Sequence, residues 1–370
     1  MIFAVDKPLK GRKAAEAARA LTHAKDIDMI NLTPATPLPD EHVLVAGGAG
    51  YVGSHVAWLL CRLGFRVTVL DDLSTGHRHA VPSCARFIHC DARDITQVSR
   101  AFAECSPTAV MNFAALSLVG DSYRDPLRYI AHNLAITLNL AKASAEIGVS
   151  SFLLSSTASI FGAEAPRPVA EDAPVRPDNP YGESKAMCER VLHWLDTTTG
   201  IRTAALRYFN ASGALFSADL GEAHDPETHL IPIVIQAALR LRDGVDIFGD
   251  DYPTADGTCV RDYVHVLDLA DAHVKALLAL RTAGHLRYNV GSGRGYSVRD
   301  IVHAVERESG RHIPVRRRPR RNGDPSTLVA CTDRIRSDLG WQPANSDLAT
   351  IIRSAWRWHV DHPSGFNSPD

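Results

Sequence analysis

Long apolar runs are missing from this sequence. No stretch approaches the ~20 residues that a membrane-spanning helix requires, so such a helix is excluded. Cysteine is sparse and unpatterned: the seven cysteines are scattered, odd in number and form no CxxC pair. That excludes a disulfide framework and a cysteine zinc site, suits the reduced thiols of a cytoplasmic protein, and leads to no expected metal. An excess of one charge is lacking too, with 40 Lys and Arg against 42 Asp and Glu, a net charge of −2. Nothing global therefore calls for nucleic acid or a membrane surface as partner. The only basic block, five arginines between Arg316 and Arg321, has no interleaved aromatic residues, so no nucleic-acid partner is expected from it.

What is present fits a soluble globular chain, 45% hydrophobic and 22% charged. Its 370 residues suffice for two domains, or for one nucleotide-binding domain with an appended lobe. Residues 1–40 stand apart. An alanine-rich, weakly basic piece without the apolar core of a secretory signal is followed by TPATPLPDE, a proline-rich linker. Met29, between the two, is a possible alternative start, which N-terminal sequencing of natively produced protein decides. This extension is given no function and is expected to be poorly ordered.

From Glu41 the pattern becomes strand, turn and helix, in HVLVAGGAGYVGSHVAWLLCRLGFRVTVLDDL. VLVA has strand propensity, and Gly47, Gly50 and Gly53 form GxxGxxG before a helical stretch expected from Gly53 to Cys61. A glycine loop at a helix N-terminus presents backbone N–H groups and the positive end of a dipole to a pyrophosphate. RVTVL is a second strand ending at Asp71, where a carboxylate accepts from a ribose 2′-OH and repels a 2′-phosphate. Asp72 strengthens that preference, so NAD is expected rather than NADP. Further strands follow at RFIHCDARD, with Asp91 placed to meet the adenine, at AVMNFAA, and at SFLLSSTAS. Strands alternating with helices predict an α/β, Rossmann-type doubly wound parallel sheet, with ligand contacts at the strands' C-terminal ends. Within NPYGESK, Tyr181 and Lys185 share one helix face at i,i+4, an arrangement that serves either an ordinary surface or proton transfer.

SSTASIFG, about 24 residues before Tyr181, completes a hydroxyl–tyrosine–lysine set, and here the chain resembles the extended short-chain dehydrogenase/reductase family. The closer resemblance is to its UDP-glucose (UDP-galactose) 4-epimerases, carried by GGAGYVGSH, NFAALSLVGDS, SSTASIFG, PYGESK, LRYFNASGA, ETHLIP, IFGDDYPTADGTCVRDYVHV, YNVGSG and RRNGDP, in that order. It spans about Glu41 to Trp358. The resemblance implies that Tyr181 is the base, Lys185 its partner and Thr157 the hydroxyl on the sugar, with Ser156 as second choice. It implies NAD contacts at Gly47, Gly50, Tyr51, Val52 and Gly53. Others are implied at Phe113, Ala114, Ala115, Asn133 and Phe209, and at Asp71, Asp72 and Asp91. For the UDP-sugar it implies Asn210, His229, Leu230 and Phe248, with Arg261 and Arg321 on the diphosphate and Asp324 on a ribose hydroxyl.

The implied reaction is NAD-dependent inversion at C4 of a UDP-sugar through a 4-keto intermediate, with UDP-galactose and UDP-glucose as the expected pair. A UDP-xylose/UDP-arabinose 4-epimerase would use the same residues, and a non-catalytic dinucleotide-binding regulator is a remoter alternative. Ala158 and Ser159 follow Thr157, where dehydratases and decarboxylating relatives carry acids. The expected division is residues 41–208 for NAD and 209–370 mainly for the UDP-sugar in a smaller α/β domain, with the chain able to cross back. A homodimer is expected from the resemblance. Departures from the usual family pattern are Ala46 for Thr, Phe161 for Tyr, Ser117 for Lys and Cys331 for Asp. Leu328 stands where family members gate sugar size, which leaves 2-acetamido sugars open.

Overall fold

The computed structural model describes residues 41–321 and 323–367; the extension, its linker and Met29 lie outside the described residues. Strands β1 (His42–Ala46), β2 (Arg66–Asp71), β3 (Arg86–His89), β4 (Ala109–Asn112), β5 (Ser151–Thr157) and β6 (Arg202–Tyr208) come first. They alternate with helices α1 (Tyr51–Arg62), α2 (Ile95–Cys105), α3 (Val119–Ser122), α4 (Pro126–Ile147) and α5 (Pro180–Thr199). Then follow β7 (Asn210–Ser212), α6 (Leu230–Ala238), β8 (Val245–Phe248), β9 (Val260–His265), α7 (Val266–Ala279) and β10 (Leu286–Val290). The last elements are β11 (Gly295–Ser297), α8 (Val298–Ser309), β12 (Val315–Arg318), β13 (Thr327–Leu328), α9 (Asp333–Leu339) and α10 (Leu348–Asp361).

Seven strands form one parallel sheet in the order β10-β6-β5-β4-β1-β2-β3. Its pleat explains the apolar runs. Val43 and Val45 of β1 enter one layer with α1 and α7, while Leu44 and Ala46 enter the other with α2, α4 and α5. A strand buried on both faces has no polar alternation to show, as doubly wound sheets require. The sheet departs from chain order at β10, which returns from beyond residue 280 to pair with β6. A smaller sheet centres on β9, with β7 and β13 parallel to it and β11 antiparallel; β8 and β12 form a separate parallel pair. Helices α6, α8 and α10 share the apolar layer of this part. Asp262 ties the two regions, accepting from Ser292 N at 2.7 Å, Gly293 N at 3.0 Å and Ala330 N at 3.1 Å.

One buried carboxylate is not compensated in this way. Asp271 in α7 is 6% exposed, its Oδ1 has no hydrogen-bond partner among the described residues, and burial pushes its pKa up to about 7. A folded-state value above the unfolded ~3.9 means stability is fully present below pH ~4 and lost as pH rises through about 7. Asp271→Asn is therefore expected to raise Tm at pH 8 and to flatten the decline between pH ~4 and ~7. Thermal melts across pH check it, and an unchanged slope would show that Asp271 is not the group responsible.

Candidate active site

A cavity of about 1390 Å³ opens along the C-terminal ends of β1, β4 and β5 and runs to the β8–β9 region. Its glycine wall is built by close approach. Helix α1 begins at Tyr51, two residues before the expected start, which places Gly53 inside the first turn. A Cβ on Gly53 would sit 2.2 Å from Gly47 O, and one on Gly47, whose φ is +75°, would sit 2.4 Å from Ala114 N. The glycines thus let loop, helix and the end of β4 touch. The α1 N-terminus has no side-chain cap and no acidic residue in its first turn, so its N–H groups remain available to an anion in the cavity. Tyr51 Oη donates to Gly213 O at 2.6 Å.

The expected cofactor residues fall into two groups. Gly47, Gly50, Tyr51, Val52 and Gly53 line the cavity, as do Phe113, Ala115 and Phe209. Ala114, Asp71, Asp72, Asp91, Asn133 and Lys185 are not among the lining residues, and their contacts show how they act. Asp71 accepts from Ala49 N and Leu73 N, both at 2.9 Å, holding the glycine loop against the end of β2. That leaves roughly two of its four acceptor positions without a partner among the described residues. Asp72 accepts from Ser74 N at 2.9 Å, and Asp91 is gripped by Arg93 at 2.7 and 2.8 Å. Asn133 exchanges bonds with Leu116 N and O at 2.8 and 3.0 Å, so it positions the loop after β4.

Thr157 and Tyr181 meet because two elements approach unusually closely. Asn179 caps α5 by accepting from Gly182 N at 2.8 Å, Pro180 fixes the first turn, and Tyr181 follows it. A Cβ on Gly182 would lie 2.3 Å from Ser159 O, so a larger residue would hold α5 off the turn after β5. Thr157 Oγ1 accepts from Ser159 N at 3.1 Å, which frees its own proton to donate, and it lines the cavity together with Tyr181. Burial pushes Tyr181 up to about 12, and the bond from Thr157 is the influence that lowers it. Lys185, 2% exposed, donates from Nζ to Ser155 O at 2.8 Å, and burial lowers its pKa. Ser156 points to the opposite face of β5, where its Oγ donates to Glu189 at 2.5 Å; it is not the hydroxyl beside Tyr181.

At the far end the cavity is lined by Asn210, Leu230 and Phe248, with Arg261, Arg321 and Asp324. Asn210 Nδ2 donates to Asp262 O at 2.8 Å. Arg261 is paired with Asp324, and the Arg321 guanidinium lies 4.0 Å over the Phe248 ring. The basic block resolves into separate pairs: Arg316 and Arg318 on Asp246, Arg317 on Asp250, and Arg320 on Asp251. Arg321 alone of the five has no ion pair among the described residues, and it lines the cavity. Leu328 packs in the small cluster with Phe209 and is not a lining residue. Phe161 is fully buried 5.1 Å from the Arg207 guanidinium, Ala46 is enclosed in β1, and Ser117 lines the cavity. The sequence reading missed a cluster beside His229, in which Glu222, His224 and Glu227 converge with it; GEAHDPETH was its only trace.

The chain matches the NAD dependent epimerase/dehydratase family over residues 43–291. It belongs to that family. It is 46% identical over 325 residues to the UDP-glucose 4-epimerase of Lacticaseibacillus casei, covering 88% of this chain and 98% of that one. A solved UDP-glucose 4-epimerase superposes with a TM-score of 0.86 at 42% identity, covering 89% of this chain and all of the other. The Brucella ovis UDP-glucose 4-epimerase, solved in complex with NAD, gives a TM-score of 0.83 at 43% identity over 86% and 98% of the two chains. The family match runs from Val43, the second residue of β1, to Gly291, just past β10, and so takes in the parallel sheet but for His42.

Proposed function

We propose that this protein is an NAD-dependent UDP-glucose 4-epimerase that interconverts UDP-galactose and UDP-glucose. The observation that carries the reading is the Thr157–Tyr181 pair on the wall of a cavity whose other end presents Arg321. A phenol suited to accept a proton and a guanidinium suited to phosphate thus line one continuous space, which supports the reading. The uncapped α1 N-terminus and the Gly47–Gly53 contact fit a dinucleotide pyrophosphate, with Asp71 available to a ribose hydroxyl. When bound, NAD+ would supply the acceptor, and in its reduced form the donor, of the hydride exchanged at C4 of the sugar. Tyr181 takes the proton of the sugar 4-OH and gives it back after the 4-keto sugar has turned. Thr157 holds the sugar oxygen in line with the phenol.

A phenol at about 12 is a poor base at neutral pH, so it must be made more acidic in the complex. Lys185, one helical turn on, and the oxidised cofactor are the positive charges that favour the phenolate. Ser155 O fixes the ammonium against its own burial. Leu230 opens α6, whose N-terminus has no side-chain cap and with Arg321 suits the diphosphate. Arg261 joins Arg321 on the diphosphate in this reading, and its partner Asp324 takes a uridine ribose hydroxyl. We propose that residues 41–208 hold the cofactor and 209–370 mainly the sugar nucleotide, with β10 belonging to the first part.

The test is incubation of purified protein with separate UDP-sugars and resolution of the products. UDP-galactose and UDP-glucose are expected to interconvert without added NAD, because cofactor regenerated each turnover stays bound. If neither reacts while UDP-xylose does, the hexose reading fails. We also infer a cytoplasmic homodimer, which sedimentation of the purified chain checks. No helix among the described residues is long and apolar enough to cross a membrane.

A further inference from the structure

Four side chains of the loop before α6 converge on one point. Glu222, His224, Glu227 and His229 each offer one donor atom, and these atoms all lie within 4.8 Å of one another. The carboxylate side chains are 5% and 3% exposed, whereas the imidazoles are 27% and 51% exposed and lie toward the cavity. Two carboxylates buried together need a countercharge. Within this cluster that is either two imidazolium rings or one cation.

The geometry points to a divalent cation, and we propose that these four residues form a four-coordinate Zn2+ site. Three observations carry it. The first is the donor set: two imidazole nitrogens and two carboxylate oxygens suit Zn2+ and lack the all-oxygen character of a calcium or magnesium site. The second is spacing. Ligands at about 2.0–2.2 Å in a tetrahedron stand roughly 3.3–3.5 Å apart. His224 Nδ1 lies 3.3 Å from Glu222 Oε1 and 3.7 Å from Glu227 Oε2, close to that spacing; His229 Nδ1 is hydrogen-bonded to the same Glu222 oxygen and has to draw back by about 1 Å to share an ion with it. The third is the support behind the donors. Glu227 Oε1 accepts from Thr228 N at 2.7 Å and His229 N at 2.8 Å, which turns Oε2 toward His224.

The loop backbone is held as firmly. Glu222 O accepts from Trp358 Nε1 at 3.0 Å, and Ala223 O lies 2.8 Å from His77 Nε2. Outer contacts that orient ligands in this way accompany metal sites. The site would cross-link the loop that forms the cavity wall before α6. The expectation of no metal rested on cysteine spacing, which this set does not use.

The test takes the full chain, purified without a histidine tag or chelator. Metal analysis is expected to find close to one Zn2+ per chain. Removing it with EDTA should lower Tm, and Zn2+ alone should restore it. Co2+ added instead should give the intense visible bands of four-coordinate geometry. His224→Ala and Glu227→Gln should each weaken Zn2+ binding beyond the roughly 10–100-fold that outer-contact changes produce, with bound NAD as the check on folding. If wild-type protein retains little transition metal and its Tm ignores added Zn2+, the cluster is an ion-pair network and the proposal fails. It also fails if both variants bind Zn2+ as wild type does. Neither readout depends on turnover, so the proposal stands or falls apart from the epimerase reading.

Discussion

Replacing Tyr181 with phenylalanine is expected to lower kcat by about 10²–10⁴-fold while leaving NAD bound and KM little changed. The phenyl ring keeps the volume that Tyr181 occupies in the first turn of α5, so the close contact of Gly182 with Ser159 is undisturbed. Only the phenol oxygen, the group whose acidity Thr157 raises, is lost. A base acts in the transition state more than in binding, so the loss should appear in kcat. Steady-state assay with UDP-galactose, alongside the NAD content of the purified variant, separates the outcomes. Turnover within tenfold of wild type would remove Tyr181 from the role of base. Loss of NAD together with activity would instead mean that the phenol oxygen holds the cofactor.

The second large effect concerns stability. Glu189→Ala is expected to cost about 3–5 kcal/mol, because it leaves a buried guanidinium unpaired. Arg207 is 1% exposed and meets Glu189 through Nε at 3.0 Å and Nη2 at 2.7 Å, while Nη1 donates to Glu171 O at 2.9 Å. Ser156 donates to the same carboxylate. Glu189 lies one turn beyond Lys185, and Ser156 immediately precedes Thr157, so the network clamps α5 onto the end of β5. Activity should therefore fall along with stability. The double change Glu189→Leu with Arg207→Met should recover most of the stability, since it removes both charges together. Urea unfolding midpoints decide it. A loss below about 1 kcal/mol for Glu189→Ala would mean that water reaches Arg207 and the pair behaves as an exposed one.

How far the sequence discloses this arrangement depends on the distance between interacting residues. The glycine loop, the strands around it and the Tyr181–Lys185 face were legible because each is a local pattern. Only the start of α1 was misplaced, by two residues, since glycine was read as opening the helix when it packs inside it. Asp71 was legible as an acid at a strand end, but its bonds to the glycine loop were not. The opposite hands of Ser156 and Thr157 follow from strand alternation, yet that Glu189 of α5 takes up the Ser156 hydroxyl is not visible in any local pattern. The pairing of Arg316 through Arg320 with Asp246, Asp250 and Asp251 joins residues some 70 positions apart, and no periodicity marks it. The substrate end was read through resemblance, and the Glu222–His229 cluster was hidden because a turn, not a repeat, brings its members together.

The placement of β10 has a consequence during synthesis. Strand β6 leaves the ribosome well before the partner that covers its outer side. At about 5–20 residues per second, the roughly 80 residues separating Tyr208 from Val290 take on the order of 4–16 s to follow. For that interval the nascent sheet presents RTAALRY as an open edge, the kind of surface to which other chains add strands. Crowded polysomes translating this message would hold many such edges side by side, and the interval is set by the path of the chain, not by the strength of any contact.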